Sequence, residues 1–183
     1  MRMAVWDLET SGLEGDVGRL LCGSILDVTT GEMRSFRRDH LKGKNRADDS
    51  RLAKVIRDEL EKYHLTIGWY SKGFDIAFLN TRLVKAGMKP LRSHLHLDPI
   101  WVCKGWRGLK ARSAKMAVMS EFFNLPERKP GVDVDVWIDA AHGGDKAAMD
   151  LLVDRCEADV RITYQLTLKL LDTGLIKTIG TYP

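Results

Sequence analysis

The sequence predicts an α/β domain of three layers, in which helices flank a mixed central sheet. Three strand patterns follow one another near the start of the 183-residue chain, and the short loops between them favour an antiparallel meander. An alternation of strand and helix patterns comes next, and a long helical pattern follows in the last third. This order of elements is typical of three-layer α/β domains built on a mixed sheet.

The first three strands are predicted from short, largely apolar segments that are separated by turn residues. They are "RMAVWDLE" (2–9), "LLCGSILDV" (20–28) and "EMRSFRR" (32–38). Gly31 in "TTGE" is expected to form the hairpin turn between the second and third strands. The segment "SRLAKVIRDELEKYH" (50–64) then has apolar residues at helical spacing, with Ser50 as the expected N-cap and Asp49 as the alternative.

The second half of the chain continues with shorter elements. We expect a strand in "LTIGWY" (65–70), a helix in "FDIAFLNTRLVKAGM" (74–88) that ends near Gly87, and a strand in "HLHLDPI" (94–100) that Pro99 stops. A further helix is expected from Ser113, and "NLPERKPG" (124–131) ends it. The final helix is predicted over residues 145–174, capped by Asp145 and ended by Gly174, with an internal break as an alternative.

Composition narrows the class of protein further. The length and the continuous pattern predict one domain over residues 1–183, and neither a membrane-spanning segment nor a signal peptide is predicted. The three cysteines share no CxxC spacing, which disfavours a zinc site or a disulfide framework and favours a reducing compartment. We therefore expect a soluble, cytoplasmic protein, with no indication of its oligomeric state.

The charge distribution is compatible with a polyanionic partner. The net charge is +4 and the pI is about 9.0. Positive charges and tryptophans concentrate in and beside "CKGWRGLKARSAK" (103–115): Trp101, Lys104, Trp106, Arg107, Lys110, Arg112 and Lys115. Cations beside aromatic rings suit a phosphate backbone and stacked bases. A solvated loop and helix start is the alternative for this segment.

Four acids are predicted at the ends or starts of buried elements. Asp7 and Glu9 are two residues apart on the first strand, so their side chains point to the same face. Asp75 opens a helix, and Asp159 lies between apolar residues of the final helix. Each acid alone could be a cap, a strand-edge charge or a solvated side chain. Together they are hard oxygen ligands that suit divalent metal ions.

Three segments of this chain resemble the motifs of the DEDD, or DnaQ-like, 3′-to-5′ exonuclease superfamily. "WDLETSGL" (6–13) resembles the first motif, "GWYSKGFDIAFLNTRL" (68–83) the second and "RCEADVRITYQL" (155–166) the third. "HLDPIWV", with Asp98, resembles a strand that often lies between them. The resemblance covers about residues 3–171, and Ser71 stands where many members have Asn.

This resemblance implies an RNase H-like fold and a nuclease that removes nucleotides from the 3′ end of single-stranded or frayed nucleic acid. Two Mg²⁺ or Mn²⁺ ions would be held by Asp7, Glu9, Asp75 and Asp159. Thr10 and Leu13 match positions that usually line the pocket for the terminal nucleotide. Lys110 and Arg112 are expected to contact the strand.

The third motif departs from both family subtypes. A Tyr four residues before the final Asp, or a His five before it, orients the attacking water in the family, whereas Arg155 and Asp154 stand there in this chain. Arg155 shares a helix face with Asp159 and is expected either to pair with a metal-ligand carboxylate or to contact the scissile phosphate. Its guanidinium would stabilise charge without taking a proton. Asp154 could be the base only in a distorted helix, and Tyr164 lies too far around it.

Three alternatives stay open from the sequence. Arg155 is compatible with a catalytically weak or inactive nucleic-acid-binding module of the same fold. An endonuclease of the RNase H type would use the same fold and the same metals. The third alternative is metal binding by "HLHLD" through His94 and His96. An ordinary packed or solvated pair of histidines would explain the same residues.

Overall fold

A computed structural model of the chain describes residues 1–41, 45, 48–104, 109–143, 145–176 and 180–182. Within these residues, six strands form one sheet in the order β3-β2-β1-β4-β5-β6. The strands are β1 (Met3–Thr10), β2 (Leu20–Asp27), β3 (Met33–Arg37), β4 (Leu65–Ile67), β5 (His94–Leu97) and β6 (Gly180–Tyr182). The helices are α1 (Ser50–Leu60), α2 (Asp75–Lys85), α3 (Pro99–Lys104), α4 (Met116–Phe122), α5 (Val134–Ile138) and α6 (Lys146–Asp172).

The sheet is mixed, as the sequence predicts. Strands β1, β2 and β3 form the antiparallel meander, and Gly31 has the positive φ of 73° that its turn requires. β4 pairs parallel to β1, β5 pairs parallel to β4, and β6 returns antiparallel to β5. The register of β1 against β2 shifts between Glu9 and Thr10, so a bulge lies within the first predicted motif.

Helices cover both faces of the sheet, which confirms the three-layer α/β architecture. Side chains alternate along β1, so Ala4, Trp6 and Leu8 pack against α1 and α2. Val5 packs on the opposite face with the apolar side chains of α3, α4 and α6. A third apolar cluster joins Cys22 of β2 to Cys156 of α6. Because Asp7 and Glu9 alternate with the first set, they lie on the α6 face.

Several boundaries differ from the sequence prediction. Ser50 was the expected N-cap of α1, but Asp49 precedes the helix, and the Asp49 carboxylate bonds to other elements instead of capping. β4 stops at Ile67, before the predicted end at Tyr70. Pro99 does end β5, but it also begins α3, where its missing N–H costs nothing. The sequence also gave no signal for α5, for β6 or for a π-helical turn at Asp139–Gly143.

The final helix is continuous, so the alternative of an internal break is wrong. α6 runs for 27 residues. The Asp145 carboxylate accepts hydrogen bonds from the N–H groups of Ala147 and Ala148, at 2.8 and 3.3 Å, and Gly174 follows the helix with a φ of 71°. No helix in the described ranges is long and apolar enough to cross a membrane.

A buried ion pair joins α1, β2 and α2. Asp49 accepts a 2.7 Å hydrogen bond from the Leu20 N–H and pairs with the Arg82 guanidinium through bonds of 2.8 to 3.2 Å. Arg82 also donates to the carbonyl of Gly15, at 3.0 Å. Only 9% of the Arg82 side chain and 3% of the Asp49 side chain are exposed. The pair therefore fixes the loop after β1 against the two helices.

Replacing Arg82 with alanine should destabilise the fold strongly. The change leaves the Asp49 carboxylate buried without its partner, which costs about 3–5 kcal/mol of unfolding free energy. Urea unfolding followed by circular dichroism measures the loss. The matched control is Arg112→Ala, which removes an exposed arginine from its ion pair with Glu121 and should leave stability nearly unchanged. Equal losses in the two variants would contradict the prediction.

Candidate metal centre

Three acids from two elements converge at one end of the sheet. Carboxylate oxygens of Asp7, Glu9 and Asp159 all lie within 4.8 Å of one another. Asp7 and Glu9 share a face of β1, and α6 crosses β1 and β2 on that face, bringing Asp159 against them. Glu9 and Asp159 are buried, and Asp7 is partly buried. The spacing of two residues in the first motif thus yields the predicted pair, and the third motif supplies the third acid.

Asp75 approaches the same strand from the opposite layer. It begins α2 and is buried, with 4% of the residue exposed. Its carboxylate accepts a hydrogen bond from the backbone N–H of Leu8, which lies between the two acids of β1. Among the described residues, Asp75 is not part of the group within 4.8 Å, but its negative charge raises the pKa of Asp7. The second motif therefore contributes an acid that interacts electrostatically with Asp7 and Glu9.

Burial raises the pKa values of all four carboxyls, and repulsion from neighbouring acids raises those of Asp7, Glu9 and Asp75 further. Burial is the largest cause in each case. The pKa of Asp7 is raised well above its usual range, with further contributions from the charges of Asp75, Asp159 and Glu9. The pKa values of Glu9 and Asp75 are each raised to about 7. Ionised carboxylates at this position therefore need nearby positive charge.

Lys129 is one source of positive charge that the sequence analysis missed. Its ammonium group forms an ion pair with Oδ2 of Asp159, across 30 positions of sequence. The residue lies in "NLPERKPG", which we interpreted only as a helix break. The sequence offers no periodic pattern there that would place the lysine. This contact opposes the effect of burial on the pKa of Asp159.

Arg155 is the second source, and it pairs with Glu9. Its Nε lies 3.1 Å from Oε1 of Glu9, and its Nη1 donates a 2.7 Å hydrogen bond to the carbonyl of Pro130. The guanidinium also lies 5.1 Å from the ring centroid of Trp137, whose Nε1 donates to Oε2 of Glu9 at 3.1 Å. Of the two expected roles, these contacts match pairing with a carboxylate of the acidic group. Trp137, on the unpredicted α5, is a second residue that sequence analysis missed.

The other residues considered near Asp159 take supporting or remote positions. Asp154 is exposed on a continuous helix, so the distortion that would turn it toward Asp159 is not found along α6. Tyr164 packs with the apolar cluster beneath the sheet. Cys156 donates from its thiol to the backbone carbonyl of Asp7, at 3.3 Å, and approaches the carboxylate at 3.7 Å. It thereby helps to hold Asp7 in place.

The predicted substrate-binding residues lie outside the acidic group. The Thr10 hydroxyl donates to the carbonyl of Gly12, at 2.7 Å, and Leu13 is 80% exposed in the same loop. Lys110 is exposed, and Arg112 pairs with Glu121 on the surface. Trp106 and Arg107 of the basic segment fall outside the described residues. These positions are available to a ligand, and none of them contacts a carboxylate of the group through a described bond.

The two histidines of "HLHLD" form a packed pair. The Thr66 hydroxyl lies 2.7 Å from Nε2 of His94 and 2.7 Å from Nδ1 of His96. The remaining ring nitrogen of His96 contacts the hydroxyl of Ser71, also at 2.7 Å. Burial lowers the pKa of His96 to about 3, so its ring is neutral. In the described part of the chain, only Asp7, Glu9 and Asp159 form a group of three or more side chains that could bind a metal ion together. The two histidines are not in such a group, which favours the packed pair over a metal site.

The acidic group fits a divalent cation. Carboxylate oxygens are the ligands that Mg²⁺ and Mn²⁺ prefer. The buried Oδ1 of Asp159 has no hydrogen-bond partner among the described residues, although its other oxygen is paired with Lys129. A buried carboxylate oxygen without a partner is costly unless a ligand satisfies it. Asp7, Glu9 and Asp159 are therefore able to hold a metal ion, with Asp75 close enough to add charge.

The fold and this group of buried acids define the RNase H-like class, and the comparisons with known proteins agree. The chain belongs to the RNase H superfamily, whose family model matches residues 4–171. No curated protein matches the chain in sequence. Among solved structures, a family B DNA polymerase from the hyperthermophilic archaeon Pyrobaculum calidifontis superposes with a TM-score of 0.75 at 18% identity. The match covers 96% of this chain and 25% of the polymerase, so the chain spans about a quarter of that protein's length.

The raised pKa of Asp75 predicts a pH-dependent stability in metal-free buffer. The folded state keeps a proton on Asp75 up to a pKa of about 7, whereas the unfolded chain releases it near its ordinary value of about 3.9. The folded state therefore binds more protons between about pH 4 and pH 7, and the free energy of unfolding falls as the pH rises through that range. Asp75→Asn removes this titrating carboxyl. The free energy of unfolding of the variant should therefore increase relative to that of the wild type as the pH rises.

Urea unfolding with EDTA at several pH values measures this difference. Thr81→Ala is the control for a change elsewhere on α2, because its hydroxyl contacts only a backbone carbonyl of the same helix by the described bonds. The difference in unfolding free energy between Thr81→Ala and the wild type should stay constant with pH. A constant difference for Asp75→Asn as well would contradict the raised pKa.

Proposed function

We propose that this chain is a single-domain 3′-to-5′ exonuclease of the DEDD, or DnaQ-like, kind, acting on single-stranded or frayed 3′ ends of nucleic acid. The observation that carries this proposal is the convergence of the motif acids. Asp7, Glu9 and Asp159 come within 4.8 Å of one another, and Asp75 interacts electrostatically with Asp7 and Glu9. Membership of the RNase H superfamily and the similarity to part of a DNA polymerase support a nuclease with a nucleic-acid substrate.

Two Mg²⁺ or Mn²⁺ ions would be held by Asp7, Glu9, Asp159 and Asp75. When bound, such ions activate water and neutralise charge that develops on a phosphodiester during hydrolysis. The chain itself contributes the rigid placement of the ligands. β1 fixes Asp7 and Glu9, the Cys156 thiol holds Asp7, and the Leu8 N–H orients Asp75. This placement on strands and helices is what catalytic ligands require.

Arg155 and Lys129 would supply positive charge beside the scissile phosphate. The Arg155 guanidinium lies against Glu9 and is fixed by Trp137 and by the Pro130 carbonyl. It stands where the family orients water, but it is permanently charged and would stabilise anionic oxygens rather than take a proton. Lys129 has a single described partner, Asp159, and its ammonium is free to exchange that partner for a phosphate oxygen.

The remaining substrate contacts are proposed from the sequence motifs and the exposed positions. Thr10 and Leu13, at the end of β1, would line the pocket for the terminal nucleotide. Lys110 and Arg112 would contact the backbone of the strand. Stacking and backbone contacts of this kind do not by themselves distinguish DNA from RNA, so both are substrates to test.

A specific observation favours a second candidate, a binding module with little or no activity. Two of the three clustered acids already have cationic partners, Arg155 on Glu9 and Lys129 on Asp159. If both cations stay in place, they satisfy charge that would otherwise attract metal. Such a module would bind strands without metal and release no nucleotides. An endonuclease of the RNase H type is the further alternative, since it would use the same acids.

The proposed activity predicts metal-dependent release of mononucleotides. Single-stranded DNA and RNA labelled at the 5′ end should be shortened stepwise from the 3′ end in Mg²⁺ or Mn²⁺. Asp7→Asn should lower the rate by at least about 100-fold, because it removes a ligand charge from the metal centre. A gel that resolves single nucleotides measures both effects.

Two controls separate the alternatives. Asp154→Asn removes an exposed acid from the same helix as Asp159 and should leave the rate unchanged. Circular strands, which have no 3′ end, should resist cleavage, and cleavage there would assign an endonuclease. Strand binding that is independent of metal, with no products from the wild type, would instead assign the inactive module.

Lys129 provides a second test of the same site. Lys129→Ala should lower kcat by about 10-fold or more through loss of charge near the reacting phosphate, while metal binding becomes tighter or stays the same. Isothermal titration with Mn²⁺ and steady-state kinetics measure the two quantities separately. Arg128→Ala is the control, because Arg128 lies in the same segment and donates only to carbonyls of that segment by the described bonds. Weaker metal binding in Lys129→Ala would contradict this role.

A further inference from the structure

Two exposed aromatic rings and a lysine form a surface that the site described above does not use. The rings of Tyr70 and Trp101 have centroids 5.9 Å apart and are tilted by 45°. The Lys104 ammonium lies 5.2 Å from the Tyr70 ring and 5.3 Å from the Trp101 ring. Tyr70 is 42% exposed and Trp101 is 48% exposed. We call these three residues the aromatic surface.

The backbone holds Tyr70 in this position at a cost. Its φ is 64°, a left-handed conformation that is strained and rare for an aromatic residue. The buried Asp98 carboxylate fixes the loop by accepting hydrogen bonds from the N–H groups of Tyr70, at 2.8 Å, and Lys72, at 3.0 Å. A Cβ at Gly73 would come within 2.5 Å of the Tyr70 ring, so only glycine leaves room for it. Strain of this kind concentrates at functional positions.

The aromatic surface lies at the same edge of the sheet as the acids. Tyr70 follows β4, and Asp98 and Trp101 follow β5. Both strands run parallel to β1, whose carboxyl end carries Glu9, so the ends of all three strands meet at one edge. The loop that holds Tyr70 also leads directly into Asp75, the acid that begins α2.

We propose that the aromatic surface binds an unpaired base of the single strand whose 3′ end reaches the acids. This inference rests on the proposed function for the identity of the strand. Every base presents a π face that stacks on aromatic rings, and the phosphate beside it would take up the Lys104 ammonium. Charge complementarity favours a polyanion, because the Lys104 ammonium lies beside both rings, and the Asp98 carboxylate under the loop is buried and occupied by backbone N–H groups.

The test compares strand binding by variants of the aromatic surface. Trp101→Ala and Tyr70→Gly should each weaken binding of a fluorescent single-stranded oligonucleotide by about 5- to 100-fold, the range that base stacking on one ring provides. Glycine adopts the φ of Tyr70 without strain, so this variant removes the ring and should keep the fold. Trp101→Phe keeps an aromatic face and should retain most of the affinity. Phe122→Ala, which removes a 54% exposed ring on α4, is the matched control and should bind as the wild type does.

A second series identifies the base. Binding is measured in EDTA, where metal-dependent cleavage is absent, with oligonucleotides that each carry one abasic nucleotide near the 3′ end. The loss of binding affinity caused by Trp101→Ala should vanish when one particular nucleotide is abasic and persist when any other is. Equal penalties at every position, or a penalty equal to that of Phe122→Ala, would overturn the proposal. Cleavage by the wild type is followed separately, so a nuclease without stacking and a stacking protein without nuclease activity give different results.

Discussion

Negative charge is concentrated at the end of β1, and the elements around it have to hold this charge in place. Asp7, Glu9 and Asp159 lie within 4.8 Å of one another, and burial raises the pKa values of all three. Like charges at such distances in a poorly solvated site repel strongly, and a fold keeps them only if protons or cations balance them. Protonation is favoured when metal is absent, and cation binding is favoured when metal is present.

The surrounding elements are arranged to hold these acids despite the repulsion. Strand alternation places Asp7 and Glu9 on the α6 face, and the bulge between Glu9 and Thr10 shifts the pairing with β2 just beyond them. Helix α6 brings Asp159 and the supporting Cys156 thiol together on one side. The buried Asp49–Arg82 pair then fastens the loop that follows β1 to both helices of the opposite layer. Packing on both faces therefore resists separation of the carboxylates.

Local patterns were sufficient to predict the meander, α1, α2 and the long final helix, because each depends on spacing within a few residues. The partners of the acids could not be predicted in this way. Lys129 meets Asp159 across 30 positions, and Trp137 meets Glu9 across 128. Short elements such as α3 and α5 were missed because six or five residues carry too little periodicity. The Ser50 cap was wrong because α1 already begins at Ser50; Asp49, the alternative, takes the N-cap position, but its carboxylate bonds to Leu20 and Arg82 in contacts that no local rule describes.

The two cations of the site differ in how firmly they are held, and this difference decides how the acids can exchange partners. Arg155 has three anchors, namely Glu9, the Trp137 ring and the Pro130 carbonyl, and 18% of its side chain is exposed. Lys129 has Asp159 as its one described ion-pair partner and is 30% exposed on a flexible four-carbon stem. A divalent ion or a phosphate can displace an ammonium at lower cost than an anchored guanidinium. Arg155 is therefore a fixed part of the site's electrostatics, whereas Lys129 balances charge until a ligand replaces it.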